Sequence, residues 1–139
     1  MGVTYFKRYR MEIALADSSL FVPRDLLPGY ELVSWPAANV DAHADVKFRS
    51  FCYEIDANVF PCLGDREGCH RLMSEIVRRD SFVPEATWLL QYGSYGLGRP
   101  ENCGTIQGIV DYAGMGSLQN VGIVPLHRGH GLGTHLIYQ

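Results

Sequence analysis

The segment that most restricts how this sequence can fold is residues 121–134, which reads VGIVPLHRGHGLGT. Val121–Val124 is an apolar, β-branched run typical of a strand, and Pro125 follows it directly. Glycines then crowd together before helix-forming residues resume near Leu132. The first turn of a helix has unpaired N–H groups and a partial positive charge, so it attracts phosphate. The segment therefore predicts a phosphate site, where Arg128 either contacts the phosphates or fixes the loop.

Two familiar phosphate-binding loops do not fit this segment. The dinucleotide fingerprint needs glycines at the first, third and sixth places, and the sixth place counted from Gly129 is Thr134. A Walker loop needs lysine after its last glycine, and Gly133 is followed by Thr134 instead. Neither nucleotide-binding class is predicted.

The remaining pattern resembles motif A of the GNAT superfamily of N-acyltransferases. That motif has Arg or Gln, two residues, Gly, one residue, and then Gly or Ala, and its positions are filled here by Arg128, Gly131 and Gly133. An apolar residue, a free position and proline precede the arginine in the family, as Ile123, Val124 and Pro125 do here. Together with the order of elements before it, the resemblance covers roughly residues 30–139.

The resemblance implies an α/β protein with the GNAT fold, a mixed and mostly antiparallel sheet with flanking helices. It also implies acetyl-CoA as cofactor, with N–H groups of the glycine segment on the pyrophosphate and the end of the strand paired with the pantetheine arm. The implied reaction is direct acyl transfer to a small-molecule or peptide amine, the thioester carbonyl being polarised near Ile123. The implied cofactor-binding residues are Val121, Gly122, Ile123, Val124, Arg128, Gly129, His130, Gly131, Leu132, Gly133 and Thr134.

Composition favours one domain, because 139 residues with 47% hydrophobic and 19% charged residues can bury one sizeable core. GNAT domains continue beyond the motif A helix with further strands and a helix. We therefore expect residues 1–139 to be a single, C-terminally truncated GNAT domain, or one completed by a second segment. Its unpaired strand edge makes a homodimer possible.

The coarse order of elements is two strands, two helices, three strands and the start of a helix. Residues 1–29 are interpreted as an arm with an added edge strand, because Tyr9–Leu15 alternates loosely. Asn39 or Asp41 is expected to cap a first helix that runs to about Ile55. The remaining predictions are strands at Tyr30–Trp35, Thr87–Tyr92, Gly104–Tyr112 and Ser117–Val124, a helix from the Asp65 cap to about Asp80, and a helix from about Leu132.

Charge and cysteine content narrow the partners and the compartment. A net charge of −3 provides no basic stripe for nucleic acid. The basic start of the chain lacks a signal peptide's apolar run, since Glu12 and Asp17 interrupt it, and no membrane partner is predicted. Loose spacing argues against a zinc site at Cys62, Cys69 and His70. We interpret His127, His130 and His135 as donors near phosphate or as solvated residues rather than as metal ligands, because the family accepts many residue types at the first two positions. The cysteines are interpreted as reduced thiols of a cytoplasmic protein.

No catalytic base can be assigned from the sequence. Gln119 and Asn120 are not bases, although Asn120 could orient a water, and the carboxylates of Glu54 and Asp111 are candidates without further support. The aromatic residues Trp88, Tyr92 and Tyr95 belong either to the acceptor side or to the core. A non-enzymatic acyl-CoA-binding or assembly module is therefore the alternative to an enzyme.

Overall fold

A computed structural model describes residues 2–16, 24–36, 38–93 and 98–139. The described elements follow the order strand, three helices, three strands and a last helix. The strands are β1 (Tyr30–Ser34), β2 (Phe82–Tyr92), β3 (Glu101–Val110) and β4 (Gly116–Ile123). The helices are α1 (Val40–Phe51), α2 (Asp56–Val59), α3 (Arg66–Arg78) and α4 (Leu132–Ile137), with 3₁₀ turns at Pro61–Gly64 and Pro125–His127. Among the described residues, no helix is long and apolar enough to cross a membrane.

The strands form one antiparallel sheet in the order β1-β2-β3-β4, so β1 and β4 are its edges. Cross-strand partners share a face of the sheet. Thr105 pairs with Leu89 and Gly122, and its hydroxyl contacts His43 of α1, so this face lies under α1. Gly104 and Ile123 lie on the other face, where Gly133 of α4 approaches Ile123. The prediction of an α/β protein with a mostly antiparallel sheet and flanking helices is confirmed.

Helices α1 and α3 begin where their capping residues predict. Asn39 Oδ1 accepts from the N–H of Ala42 at 2.9 Å, and Asp65 Oδ2 accepts from the N–H of Gly68 at 2.7 Å. The expected extension of the first helix to Ile55 is wrong, because α1 ends at Phe51. Ile55 is 61% exposed, so it gains no burial that would favour a longer helix, and a turn leads instead into the short α2.

The predicted edge strand at Tyr9–Leu15 is also wrong. Residues 2–14 form neither helix nor strand, and every side chain from residue 2 to residue 16 is exposed. Alternation in the sequence supplies an apolar side, but a strand forms only with a neighbouring strand to accept its backbone hydrogen bonds. Within the described residues the sheet begins at β1.

Candidate functional site

The glycine segment forms an open loop between β4 and α4. Gly129 and Gly131 have φ angles of +80° and +73°, the left-handed region that glycine adopts without strain. A Cβ atom at either position would meet nothing within 4 Å, so the backbone there is open. The N–H of His135 donates to the carbonyl of Gly131 at 3.0 Å. The N–H groups of the first turn of α4 precede this bond, and such groups have no partner within their helix.

A cavity of about 200 Å³ lies against this loop. Seven of the residues that the sequence assigned to cofactor binding line the cavity, and the turn before the loop adds one more. The lining residues are Ile123, His127, Arg128, Gly129, Gly131, Leu132, Gly133 and Thr134. The other assigned residues are not in this lining: Val121 and Gly122 lie in β4, Val124 follows it, and His130 donates or accepts within the loop, its Nδ1 3.1 Å from the carbonyl of His127.

Arg128 holds the loop in place. Its Nε donates to the carbonyl of Ile123 at 2.9 Å, and its Nη2 donates to the carbonyl of Ser50 at 2.7 Å. Its Nη1 pairs with Glu54 at 2.6 Å, which links the loop to the segment after α1. Of the two roles left open by the sequence, the structure therefore supports fixing the loop.

Strand β4 contains a bulge just before the loop. Thr105 pairs with Gly122 and Gln107 with Gln119, so three steps along β4 match two along β3. Asn120, inside this interval, has a φ of +50°. A bulge leaves backbone groups unpaired by the ladder and bends the strand. Asparagine adopts a left-handed backbone more readily than most residues, so Asn120 is a weak signal for this irregularity, which the sequence analysis did not predict.

His127 connects the cavity to a second group of side chains. Its Nε2 is 3.1 Å from Glu101 Oε2, and its Nδ1 is 2.8 Å from the hydroxyl of Tyr30. Because an ionised carboxylate can only accept, Nε2 carries a proton, and Nδ1 accepts from Tyr30 when the ring is neutral. Arg49 Nη2 donates to the other oxygen of Glu101 at 2.5 Å. The sequence could not reveal this group, since Tyr30 and His127 are far apart in the chain.

The ionisation of this group follows from its contacts. The hydrogen bond from His127, followed by the one from Arg49, lowers the pKa of Glu101 below its ordinary 4.5, although burial opposes the shift. Burial raises the pKa of Tyr30 above 10.0, and the neighbouring Cys103, Tyr92 and Glu101 add to that shift. The carboxylate therefore stays ionised and the phenol stays protonated at neutral pH.

A second polar group is buried between α1 and β3. Lys47 Nζ donates to Gln107 Oε1, while His43 Nδ1 lies 2.8 Å from Thr105 Oγ1. Gln107 Nε2 donates to Thr105 Oγ1 at 2.6 Å. Burial lowers the pKa of Lys47 from 10.5 to about 7, and burial with nearby Lys47 lowers the pKa of His43 from 6.5 to about 3. Among the described residues, His43 Nε2 has no hydrogen-bond partner.

Lys47 is fully buried, which is rare for a lysine, and its neighbour Val46 on α1 is fully buried as well. The covered face of α1 is therefore wide enough to include both residues.

The remaining candidates do not converge on the cavity as free groups. Glu54 is bound to Arg128, and Asp111 lies in the turn after β3, where it accepts from the N–H groups of Ala113 and Met115. Trp88 and Tyr92 lie in β2, and Tyr95 lies outside the described residues. Asn120 lies in β4 at the bulge.

Cys69 and His70 have different hydrogen-bond partners. The Cys69 thiol donates to the carbonyls of Cys62 and Leu63, at 3.4 Å and 3.7 Å. His70 instead binds Asp41 at 2.8 Å. In the part of the chain that the structure describes, no three His, Cys, Asp or Glu side chains are grouped to hold a metal ion. Its four cysteines are free thiols, Cys52, Cys62, Cys69 and Cys103.

Comparison of the sequence with protein-family models and with curated proteins gives no match. The chemistry of the cavity is therefore inferred from the loop, the bulge and their surroundings.

Proposed function

We propose that this protein is an acetyl-CoA-dependent N-acyltransferase that binds the coenzyme A pyrophosphate in the cavity against the glycine loop. The supporting observation is the cavity itself, since it coincides with the segment that resembles motif A. Two left-handed glycines give a phosphate close access to the backbone, and Arg128 braces the loop from outside. We also assign the protein to the cytoplasm, where free thiols remain reduced.

The position of β4 at the edge of the sheet supports binding of the pantetheine arm of the cofactor. Its outer backbone has no neighbouring strand in the described sheet, so residues Val121–Val124 can pair with the amides of a pantetheine arm. The bulge at Asn120 frees backbone groups close to this path, and an N–H there can polarise the thioester carbonyl.

The proposed step is direct transfer. A neutral amine nitrogen attacks the thioester carbonyl carbon, the carbon–sulfur bond breaks, and coenzyme A leaves as a thiolate that is protonated afterwards. The amine's proton passes to a base. We assign that role to no residue, because Glu54 and Glu101 are both engaged in ion pairs.

The same ion pairs favour one alternative, a module that binds acyl-CoA without turnover. Neither carboxylate nearest the loop is free to take a proton. Turnover separates the two functions: an enzyme releases free thiol from acetyl-CoA when an acceptor amine is present, and a binding module does not.

Calorimetry with acetyl-CoA tests the site through one position. At Gly131 a Cβ has open space, so we compare Gly131→Asp with Gly131→Asn, which has the same shape and tolerates a left-handed backbone. The added carboxylate should weaken binding by roughly 10-fold or more relative to the asparagine variant, because it repels the pyrophosphate. Equal affinities in the two variants would contradict the proposed site.

Thiol release with a panel of small amines and peptide N-termini tests the reaction. Release that depends on the amine and is reduced in Gly131→Asp supports the enzyme. Binding of acetyl-CoA without release for any amine would favour the binding module.

A further inference from the structure

The arm formed by residues 2–16 carries exposed apolar side chains at alternate positions. Its odd-numbered positions carry large apolar side chains, with Lys7 as the exception. These side chains are between 60% and 90% exposed: Val3, Tyr5, Tyr9, Met11, Ile13 and Leu15. Six large apolar groups so exposed on one short segment exceed what isolated surface residues account for.

Two contacts between the arm and the domain come from even-numbered positions. The guanidinium of Arg8 lies 4.8 Å from the centre of the Phe60 ring, and Arg10 Nη2 is 3.8 Å from the sulfur of Met115. Lys7 contacts the ring of Tyr9, and Arg10 pairs with Glu12, so side chains two positions apart lie on the same side of this part of the arm. The arm contacts the domain through Arg8 and Arg10, while its odd-numbered apolar side chains remain exposed to solvent.

We propose that a second copy of this chain covers the apolar side, with the two arms antiparallel and related by a two-fold axis at Tyr9. In this register Val3 faces Leu15, Tyr5 faces Ile13, and the two Tyr9 side chains meet at the axis. The sequence is self-complementary about Tyr9, which is the condition for a symmetric interface.

The charges and the area fit this arrangement. Lys7 would face Met11, and its ammonium is 5.2 Å from the centre of its own Tyr9 ring, so its stem can cover methionine while its charge stays on the ring. Arg8, Arg10 and Glu12 lie on the opposite side, away from the partner arm. The six apolar side chains present roughly 800 Å² per copy, the amount that a standard interface buries on each partner.

Sedimentation equilibrium of the full chain tests this interface independently of acetyl-CoA. We expect the dimer to be present when the protein concentration reaches about 200 µM. A triple variant, Tyr5→Ser, Tyr9→Ser, Ile13→Ser, should increase the dissociation constant of the dimer roughly 100-fold. The matched control carries three changes on the other side, Thr4→Ser, Phe6→Ser and Ala14→Ser, and should dimerise like wild type. A wild-type monomer at about 200 µM, or equal weakening by both triple variants, would overturn the proposal.

Cross-linking tests the register. In a background with Cys52→Ser and Cys62→Ser, Tyr9→Cys should form a disulfide-linked dimer under mild oxidation. Val3→Cys should link to Leu15→Cys when the two variants are mixed, but not to itself, because 3 and 15 are opposite in this register. A dimer that links Val3→Cys to itself, or a Tyr9→Cys variant that forms no linked dimer, would refute the antiparallel pairing of arms.

Discussion

Replacing Lys47 with methionine tests the buried polar group most directly. The ammonium is buried between α1 and β3, and its hydrogen-bond partner is the neutral amide of Gln107. Methionine has a similar length and no charge, so it fills the same space without the cost of burying an ion. We expect Lys47→Met to be more stable than wild type near neutral pH.

The magnitude follows from the pKa of Lys47, which burial lowers from 10.5 to about 7. Lowering a pKa by one corresponds to roughly 1.4 kcal/mol, so keeping this lysine buried costs about 5 kcal/mol below pH 7. The variant leaves Gln107 Oε1 without its donor, at a cost of about 1–3 kcal/mol. The net gain in the free energy of unfolding should therefore be about 2–4 kcal/mol at pH 7.

The sign of the pH dependence is fixed by the same pKa. Between pH 7 and 10.5 the unfolded state binds a proton at Lys47 that the folded state has released, so the stability of wild type rises with pH. The advantage of the variant should then shrink by about 2 kcal/mol from pH 7 to about pH 8.5. His43, with a folded pKa of about 3, and the Cys69 thiol, with a folded pKa of about 11, do not titrate in the folded state within this range.

Urea unfolding followed by circular dichroism at the two pH values measures both quantities. The matched control is Arg99→Met, which removes a positive charge at an exposed site outside the helices and strands and should alter stability by less than about 0.5 kcal/mol. A variant less stable than wild type at pH 7, or an advantage equal at both pH values, would refute this account of Lys47.

Three further substitutions test packing, the ion pair and the cap. Gly122→Ala should lower the free energy of unfolding by about 1–3 kcal/mol, because the new Cβ would lie 2.9 Å from the Phe51 ring and 3.0 Å from Ser50. Its control is Gly116→Ala, where the Cβ meets nothing within 4 Å and the free energy of unfolding should not fall in this way. Urea unfolding measures both variants. Because the pKa of Glu101 is lowered in the folded state, its contribution to stability is present above pH 4.5 and is lost as the pH falls. On acidification the Glu101→Gln variant should therefore lose less stability than wild type. Thermal melts at pH 7 and at lower pH measure this difference. Asn39→Ala should cost about 1 kcal/mol in urea unfolding, whereas an unchanged stability would contradict its role as the cap of α1.

The elements that the sequence predicted well are those with a local signal. Asn39 and Asp65 cap helices as expected, since a capping side chain bonds to a backbone only three residues away. Tyr9–Leu15 was interpreted as a strand from the same kind of local signal, an alternating pattern, and forms none in the described structure. A strand depends on a partner that is distant in the sequence, which alternation does not supply.

In the candidate site, too, features with a local sequence signal were predicted and contacts between distant segments were not. Its glycines and their order were visible in the sequence, and glycine adopts the left-handed backbone of Gly129 and Gly131 without strain. The bracing of Arg128 by Ser50 and Glu54, and the pairing of His127 with Tyr30 and Glu101, depend on segments that meet only in the folded chain.

The strand, glycine turn and helix start of residues 121–134 could be predicted from residue type and short spacing, because these set the local backbone. Two other features depend on contacts between segments that are far apart in the chain. Arg128 donates to the carbonyl of Ser50, and Lys47 is buried between α1 and β3. The energy of such contacts depends on burial, which no local pattern specifies.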